Sequence, residues 1–269
     1  MKQAVFVQVG ALLLLNSALC SLPSRAAQPR VVEVPAGPAF VKLPGASEIN
    51  ARSGQSLKTN ALLRTVKPGR MQVLLGNGRQ FRMGGDSQLR LGASDVELLK
   101  GSLIGWIKPG TLRRNPFKIR HRLATASIQG TTVFVESTDQ HFKVFSWEGT
   151  VQVETSNGQR FTLTSGQQLL LDLKRQMDEV SGRLDGLESV LAELGGGIVT
   201  PPTPGRDGSR SPRSRQQDHQ EYDWEPPQPL SAQDAERRLQ KSLLINGFST
   251  PLETLPDIER ELGVSAPAP

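Results

Sequence analysis

The chain has 269 residues, 36% of them hydrophobic and 22% charged, and a formal net charge of +6. That length holds one domain with a proper core plus terminal extensions, and is short for two large domains. Only 5% of residues are aromatic, against 26 Gly and 19 Pro, so the core must rest on Val, Leu and Ile.

Residues 1–27 read as a secretory signal. Lys2 is a minimal positive start, Ala11 to Leu15 the most apolar run, and Ser24-Arg25-Ala26-Ala27 a small-residue cleavage site, with the cut after Ala26 or Ala27. Gln8 and Asn16 interrupt the run, which is short of the roughly 20 apolar residues of a stable span. An uncleaved anchor and a lipoprotein through Cys20 are the weaker alternatives, since Leu19 fits poorly before a lipidated Cys. Cys20 is the only cysteine, so the mature chain would have none. Disulfide stapling, thiolate catalysis and a Cys-based zinc site are thereby excluded, and a periplasmic or secreted protein without a transmembrane span is expected.

Residues 28–38 form an extended, Pro-punctuated leading segment. From about Phe40 to Asp172 the chain reads as short strands and turns. Val73/Leu75 and Phe81/Met83 flank Asn77-Gly78 as a predicted hairpin. Leu89/Leu91, Val96/Leu98 and Leu103/Trp106 continue the inward pattern, followed by Phe117/Ile119 and Ile128. Val133/Val135, Val151/Val153, Phe161/Leu163 and Leu169/Leu171 then alternate with polar residues, and Asn157-Gly158 predicts a two-residue hairpin. Strands punctuated at this spacing give an all-β domain: a β-roll, solenoid or sandwich of short strands. Gly130, Gly149 and Gly166 fall at strand ends, where positive φ or close backbone approach is expected.

The order of these parts resembles the FecR domain. Its pieces are Thr125, Ile128-Gln129-Gly130-Thr131, Val135, Glu148-Gly149-Thr150-Val151-Gln152-Val153 and Leu163-Thr164-Ser165-Gly166-Gln167. Upstream, Arg64-Thr65, Pro68-Gly69-Arg70 and Asn77-Gly78 look like the first half of the same domain, which the resemblance places over residues 40–172. FecR proteins join a cytoplasmic anti-sigma segment, one transmembrane helix and a periplasmic sensing domain. Here the β domain follows a signal peptide directly, which leaves an exported interaction module as what the resemblance implies.

Leu173, Met177, Val180, Leu184, Leu187, Leu191 and Leu194 recur at spacings of 4 and 3, an apolar seam for a helix over 173–195. It packs on its own β domain or, through Met177, Val180, Leu184, Leu187 and Leu191, joins two copies into a homo-oligomer. Gly195-Gly196-Gly197 ends the helix, and residues 196–230, with Pro-rich and Arg/Ser-rich stretches, read as a disordered linker. Over 231–262, Ser231 with Asp234 predicts a helix cap, Leu239, Leu243 and Leu244 an apolar side, and Leu252, Leu255, Ile258 and Leu262 a further short helix. This end either folds back on the domain or docks a partner.

No catalytic constellation, cofactor motif or metal spacing stands out. His121, His141 and His219 lie in separate segments, and Gly76-Asn77-Gly78 is explained by a hairpin. Charge is the one surface signal. No acidic residue falls between Glu97 and Glu136, while Lys108, Arg113, Arg114, Lys118, Arg120 and Arg122 are basic, with Trp106, Phe117 and His121 interleaved. Behind an export signal, nucleic acid is not the expected partner; a protein or an anionic cell-envelope polymer is. A solvated basic edge is the plainer alternative. The expected role is a non-catalytic binding module, with envelope signalling as its setting; a structural protein that oligomerises through 173–194 and a glycan-acting enzyme are the alternatives.

Overall fold

The computed structural model describes residues 28–76, 78–108, 116–179, 181–183 and 222–265. Among them fifteen strands share one hydrogen-bonded network, organised by a single long hairpin. Its arms, β6 (Arg79–Leu91) and β7 (Asp95–Ile107), are 13 residues each, and their two halves pair with different neighbours.

The first half of β6 pairs with β5 (Arg70–Gly76), and β5 with β1 (Arg30–Ala36). The second half of β7 pairs with β10 (Thr132–Ser137), then β11 (His141–Glu148), β14 (Gln167–Asp172) and the short β15 (Gln228–Pro229). The other halves carry a second sheet. There β6 pairs with β4 (Leu62–Thr65), followed by β2 (Ala39–Lys42) and β3 (Glu48–Asn50). On its far side β7 meets β8 (Phe117–Arg120) in parallel, then β9 (Ala124–Ile128), β12 (Val151–Thr155) and β13 (Arg160–Leu163). The architecture is therefore all-β, two sheets diverging from one bent hairpin.

The bend has a local cause. Pairing is irregular between Gly84 and Gln88, and opposite it Gly101 takes φ +88°. A Cβ on Gly101 would lie 2.5 Å from the Ser87 Cα, so only glycine fits there. Ser87 is fully buried and fills the corner, its hydroxyl accepting from the Ser102 N–H at 2.8 Å.

Between the sheets lies the main core, which takes up Val73, Phe81, Met83, Leu89, Val96, Leu103, Phe117, Val133, Val151 and Leu169. Gly130, Gly149 and Gly166 have φ of +86°, +70° and +78°, as expected of their strand-end positions. The 157–158 turn differs from its sequence reading. Gly158 N–H donates to the Thr155 carbonyl and Thr155 N–H to that of Gln159, with Gly158 at φ +85°. That is a three-residue loop with a bulge, not a two-residue turn.

A second layer covers the outer face of the first sheet. It consists of α2 (Ala232–Lys241), α3 (Leu243–Asn246) and α4 (Leu255–Leu262); a separate helical segment, α1 (173–179), follows β14. Leu239, Leu244, Ile245, Leu252 and Ile258 pack there on Ile104, Trp106, Phe145 and Trp147. Trp106 thus faces away from Leu103, whose partner it was expected to be. Residues three apart on a strand point to opposite sides. Ser231 caps α2 as predicted, its hydroxyl accepting from the Asp234 N–H at 3.1 Å. Leu243, read as part of the apolar side, is 62% exposed.

Two polar groups fasten this layer. Arg82, fully buried on the outer face of β6, donates to the carbonyls of Leu244 at 3.2 Å, Ile245 at 3.0 Å and Thr250, and to Gln72 Oε1 at 2.8 Å. Burial lowers its pKa to about 10, against the pull of Glu33 and Glu253, so it stays charged at neutral pH. Its guanidinium stacks on Phe248, 4.3 Å from the ring centre. Glu253 accepts from Gln80 at 2.9 Å and the Trp106 indole at 3.1 Å, and Lys108 Nζ stands 3.4 Å away.

His121 gives the fold a pH dependence. Its ring stacks on Phe142 at 4.6 Å, and burial, with Arg122 nearby, lowers its pKa from 6.5 to about 4. The unfolded chain takes up this proton below pH 6.5 while the folded chain refuses it until about pH 4. The stabilisation is whole above 6.5 and lost as pH falls to 4. Urea midpoints should fall across that window, and His121→Gln should flatten the fall; an unchanged slope in the variant would assign the effect elsewhere.

A cationic groove as candidate functional site

The helical layer covers only part of the sheet face. Beside it opens a cavity of about 640 Å³ between α2 and the outward residues of β6, β7 and β10. Phe134, Trp147, Leu230 and Leu244 form its apolar floor. The first wall comes from the turn before β5 and that strand's first residue, Lys67 and Arg70; the second from α2. Because Ala235 and Leu239 bury one face of that helix, Asp234, Arg237, Arg238 and Lys241 fall together at helical spacing along the groove.

Five cations therefore face two carboxylates, and both carboxylates are already engaged. Glu136 accepts from Lys143 and lies 2.9 Å from His141 Nε2. Burial pushes its pKa up, but these neighbours hold it below the ordinary value. Asp234 accepts from Ser231 at 2.7 Å and stands 3.4 Å from Arg237. Among the described residues Lys67, Arg70 and Lys241 make no ion pair.

Arg238 is the most constrained of these cations. Its guanidinium lies over the Phe145 ring at 4.8 Å and donates to Gln168 Oε1 at 3.2 Å, while one terminal nitrogen is buried with no partner. Burial lowers its pKa, opposed by Glu136 and Asp234. Arg70 Nε and the Trp147 indole nitrogen are also buried without acceptors. These three nitrogens are closed off from solvent behind the walls, so the cations open to a ligand are the exposed ones, Lys67, Arg237 and Lys241, with the accessible parts of Arg70 and Arg238 beside them. A smaller cavity of about 370 Å³ adjoins through Arg238 and adds Lys143 and Lys174.

The basic residues singled out in the sequence do not form one patch. Lys118 and Arg120 share the exposed face of β8. Arg122 is exposed in the following turn, and Lys108 sits at the opposite end of β7, beside Glu253. Arg113 and Arg114 lie outside the described residues. The interleaved Trp106 and Phe117 are buried, at 1% and 0% exposure, and offer no stacking face. Around β8, Arg120 pairs with Asp95 at 3.0 Å and Arg90 with Glu97 at 2.8 Å, while Lys118 and Arg122 make no ion pair among the described residues. Of the proposed oligomer seam, Met177 is 67% exposed, and Val180, Leu184, Leu187 and Leu191 lie outside the described residues.

One arrangement resembles a catalytic pair and is not one. Ser137 Oγ lies 3.0 Å from His121 Nε2. However, His121 Nδ1 accepts from the Leu123 N–H at 3.3 Å, which places the proton on Nε2 as a donor to the serine. An imidazole so protonated cannot take the hydroxyl proton. Among the described residues no three His, Cys, Asp or Glu side chains stand together as metal ligands, and no helix is long and apolar enough to cross a membrane.

The stretch that contains the bent hairpin matches a known family: the FecR protein family, over residues 61–152. The chain contains a FecR domain. Two crystal structures of a candidate anti-sigma factor from Parabacteroides distasonis ATCC 8503 are also similar, one with a TM-score of 0.38 at 19% identity, the other 0.37 at 18%. Each covers 42% of this chain, which spans about half (55%) of theirs. Comparison with curated proteins finds no match.

Sequence reasoning did not find the groove. Its walls come from residues about 170 positions apart, and neither stretch is conspicuous alone. The usable signal was apolar residues on consecutive strand positions, as in Leu103-Ile104 and Val144-Phe145, which marks a strand buried on both faces.

Proposed function

We propose that this chain is an exported, non-catalytic FecR-domain module that binds a protein partner at the cell envelope and serves in signalling. The observation that carries this reading is the groove: an apolar floor ringed by cations that outnumber its carboxylates, in a chain whose residues 61–152 match the FecR family. On the opposite sheet Arg120 and Arg90 are already engaged by Asp95 and Glu97, and neither cavity gathers the remaining cations there into one site. Residues 1–27 supply the export signal, with cleavage after Ala26 or Ala27.

Two measurements test it. Residues 1–40 fused to alkaline phosphatase, active only after export, should give activity in a bacterial host, and deletion of residues 11–15 should abolish it. The full chain, immobilised, should retain a defined envelope protein. A fusion no more active than a control without residues 1–27, or no retained protein, would contradict the corresponding half of the reading.

A further inference from the structure

The structure also bears on what kind of segment fills the groove. We propose that it binds an extended acidic peptide segment of the partner, whose carboxylates meet Arg70, Arg238 and Lys241 while its aliphatic side chains pack over Phe134, Leu230 and Leu244. This rests on the reading of the chain as a protein-binding module.

Three features select this occupant. First, charge: the groove holds five cations, its two carboxylates are internally paired, and Lys67, Arg70 and Lys241 make no ion pair among the described residues. An anionic ligand balances this surplus, whereas a metal ion or a basic peptide is repelled.

Second, the cations are distributed. They stand on both walls and continue past Arg238 to Lys174 in the adjoining cavity, whose Lys143 is paired with Glu136 and whose Asp172 accepts from the Arg175 N–H. A single lipid headgroup would satisfy one end and leave the rest; a chain with repeated carboxylates can meet them in series. Third, the floor suits aliphatic side chains. Phe134 and Leu230 are partly exposed there and Leu243 stands 62% exposed on the rim, an apolar surface over which aliphatic side chains can pack.

A random octapeptide library displayed on phage, panned against the full chain, tests the assignment. Recovered peptides should combine Asp or Glu with Leu, Ile or Val. The best of them, made synthetically with a fluorescent label, should bind with an affinity that weakens with salt. Lys241→Glu, a change on an exposed rim residue in the last turn of α2, should weaken binding about tenfold or more while lowering the melting temperature by only a few degrees, the cost of an anion at that helix end. Arg238→Gln should weaken it similarly.

Recovery of peptides without acidic enrichment, or equal binding by wild type and Lys241→Glu, would overturn the proposal. So would saturable binding of phosphatidylglycerol vesicles or alginate that displaces the peptide, since the groove would then serve a lipid or glycan anion. Envelope capture separates the two readings. A partner still retained by Lys241→Glu removes the groove assignment alone; no partner retained by wild type removes the protein-binding reading.

Discussion

Arg82→Met lowers the stability of the folded chain by about 3–5 kcal/mol, because a buried cation with several acceptors is being removed without replacing its hydrogen bonds. Methionine fills much of the same space but donates nothing. The carbonyls of Leu244, Ile245 and Thr250 and the Gln72 amide oxygen then stay buried without their donor. For a domain of this size the loss corresponds to a melting temperature lower by roughly 10 °C. Arg82→Lys should not recover it, since one ammonium cannot span the acceptors met by a planar guanidinium. The loss should be local in its first effects. Limited proteolysis should cut between α3 and α4 sooner than elsewhere, because that segment is what Arg82 holds. A melting temperature within 2 °C of wild type, with no change in cleavage, would show that the arginine does not fasten the helical layer.

Ending the chain after Pro229 has a still larger effect. It uncovers Ile104, Trp106, Phe145 and Trp147, each now at most 1% exposed. At about 1.5–3 kcal/mol for each such side chain, the loss is roughly 6–12 kcal/mol, comparable with the whole stability of a typical domain. The truncated protein should aggregate, or lose its cooperative melting transition, although every residue of the matched stretch 61–152 is still present. A soluble truncation with an unchanged transition would mean that the C-terminal helices are a detachable docking tail rather than a layer of the domain.

The sandwich core was largely legible in the sequence, because period-two alternation is a direct record of one buried face. Val133/Val135, Val151/Val153 and Leu169/Leu171 all enter the core between the sheets. The method falters where both faces are buried. Around Leu103 to Ile107 and Val144 to Trp147 the alternation vanishes into continuous apolar residues, and Trp106 was assigned to the wrong side. The groove was out of reach for a different reason. Lys67 and Arg70 meet Arg237, Arg238 and Lys241 only because α2 lies across the first sheet, a placement no local pattern encodes. The basic run from Lys108 to Arg122 misled in the opposite way. Its residues are close in sequence, yet the length of β7 separates Lys108 from Lys118 and Arg120.

Site-specific photocrosslinking compares the two faces of the molecule directly. A benzoylphenylalanine placed at Leu243, on the groove rim, and another at Lys118, on the opposite sheet, report which face meets a partner in the producing cell. A crosslinked adduct from position 243 that is absent from position 118, and that disappears when Lys241→Glu is added, is the predicted result. An adduct from position 118 with none from 243 would contradict the assignment of the groove as the working face.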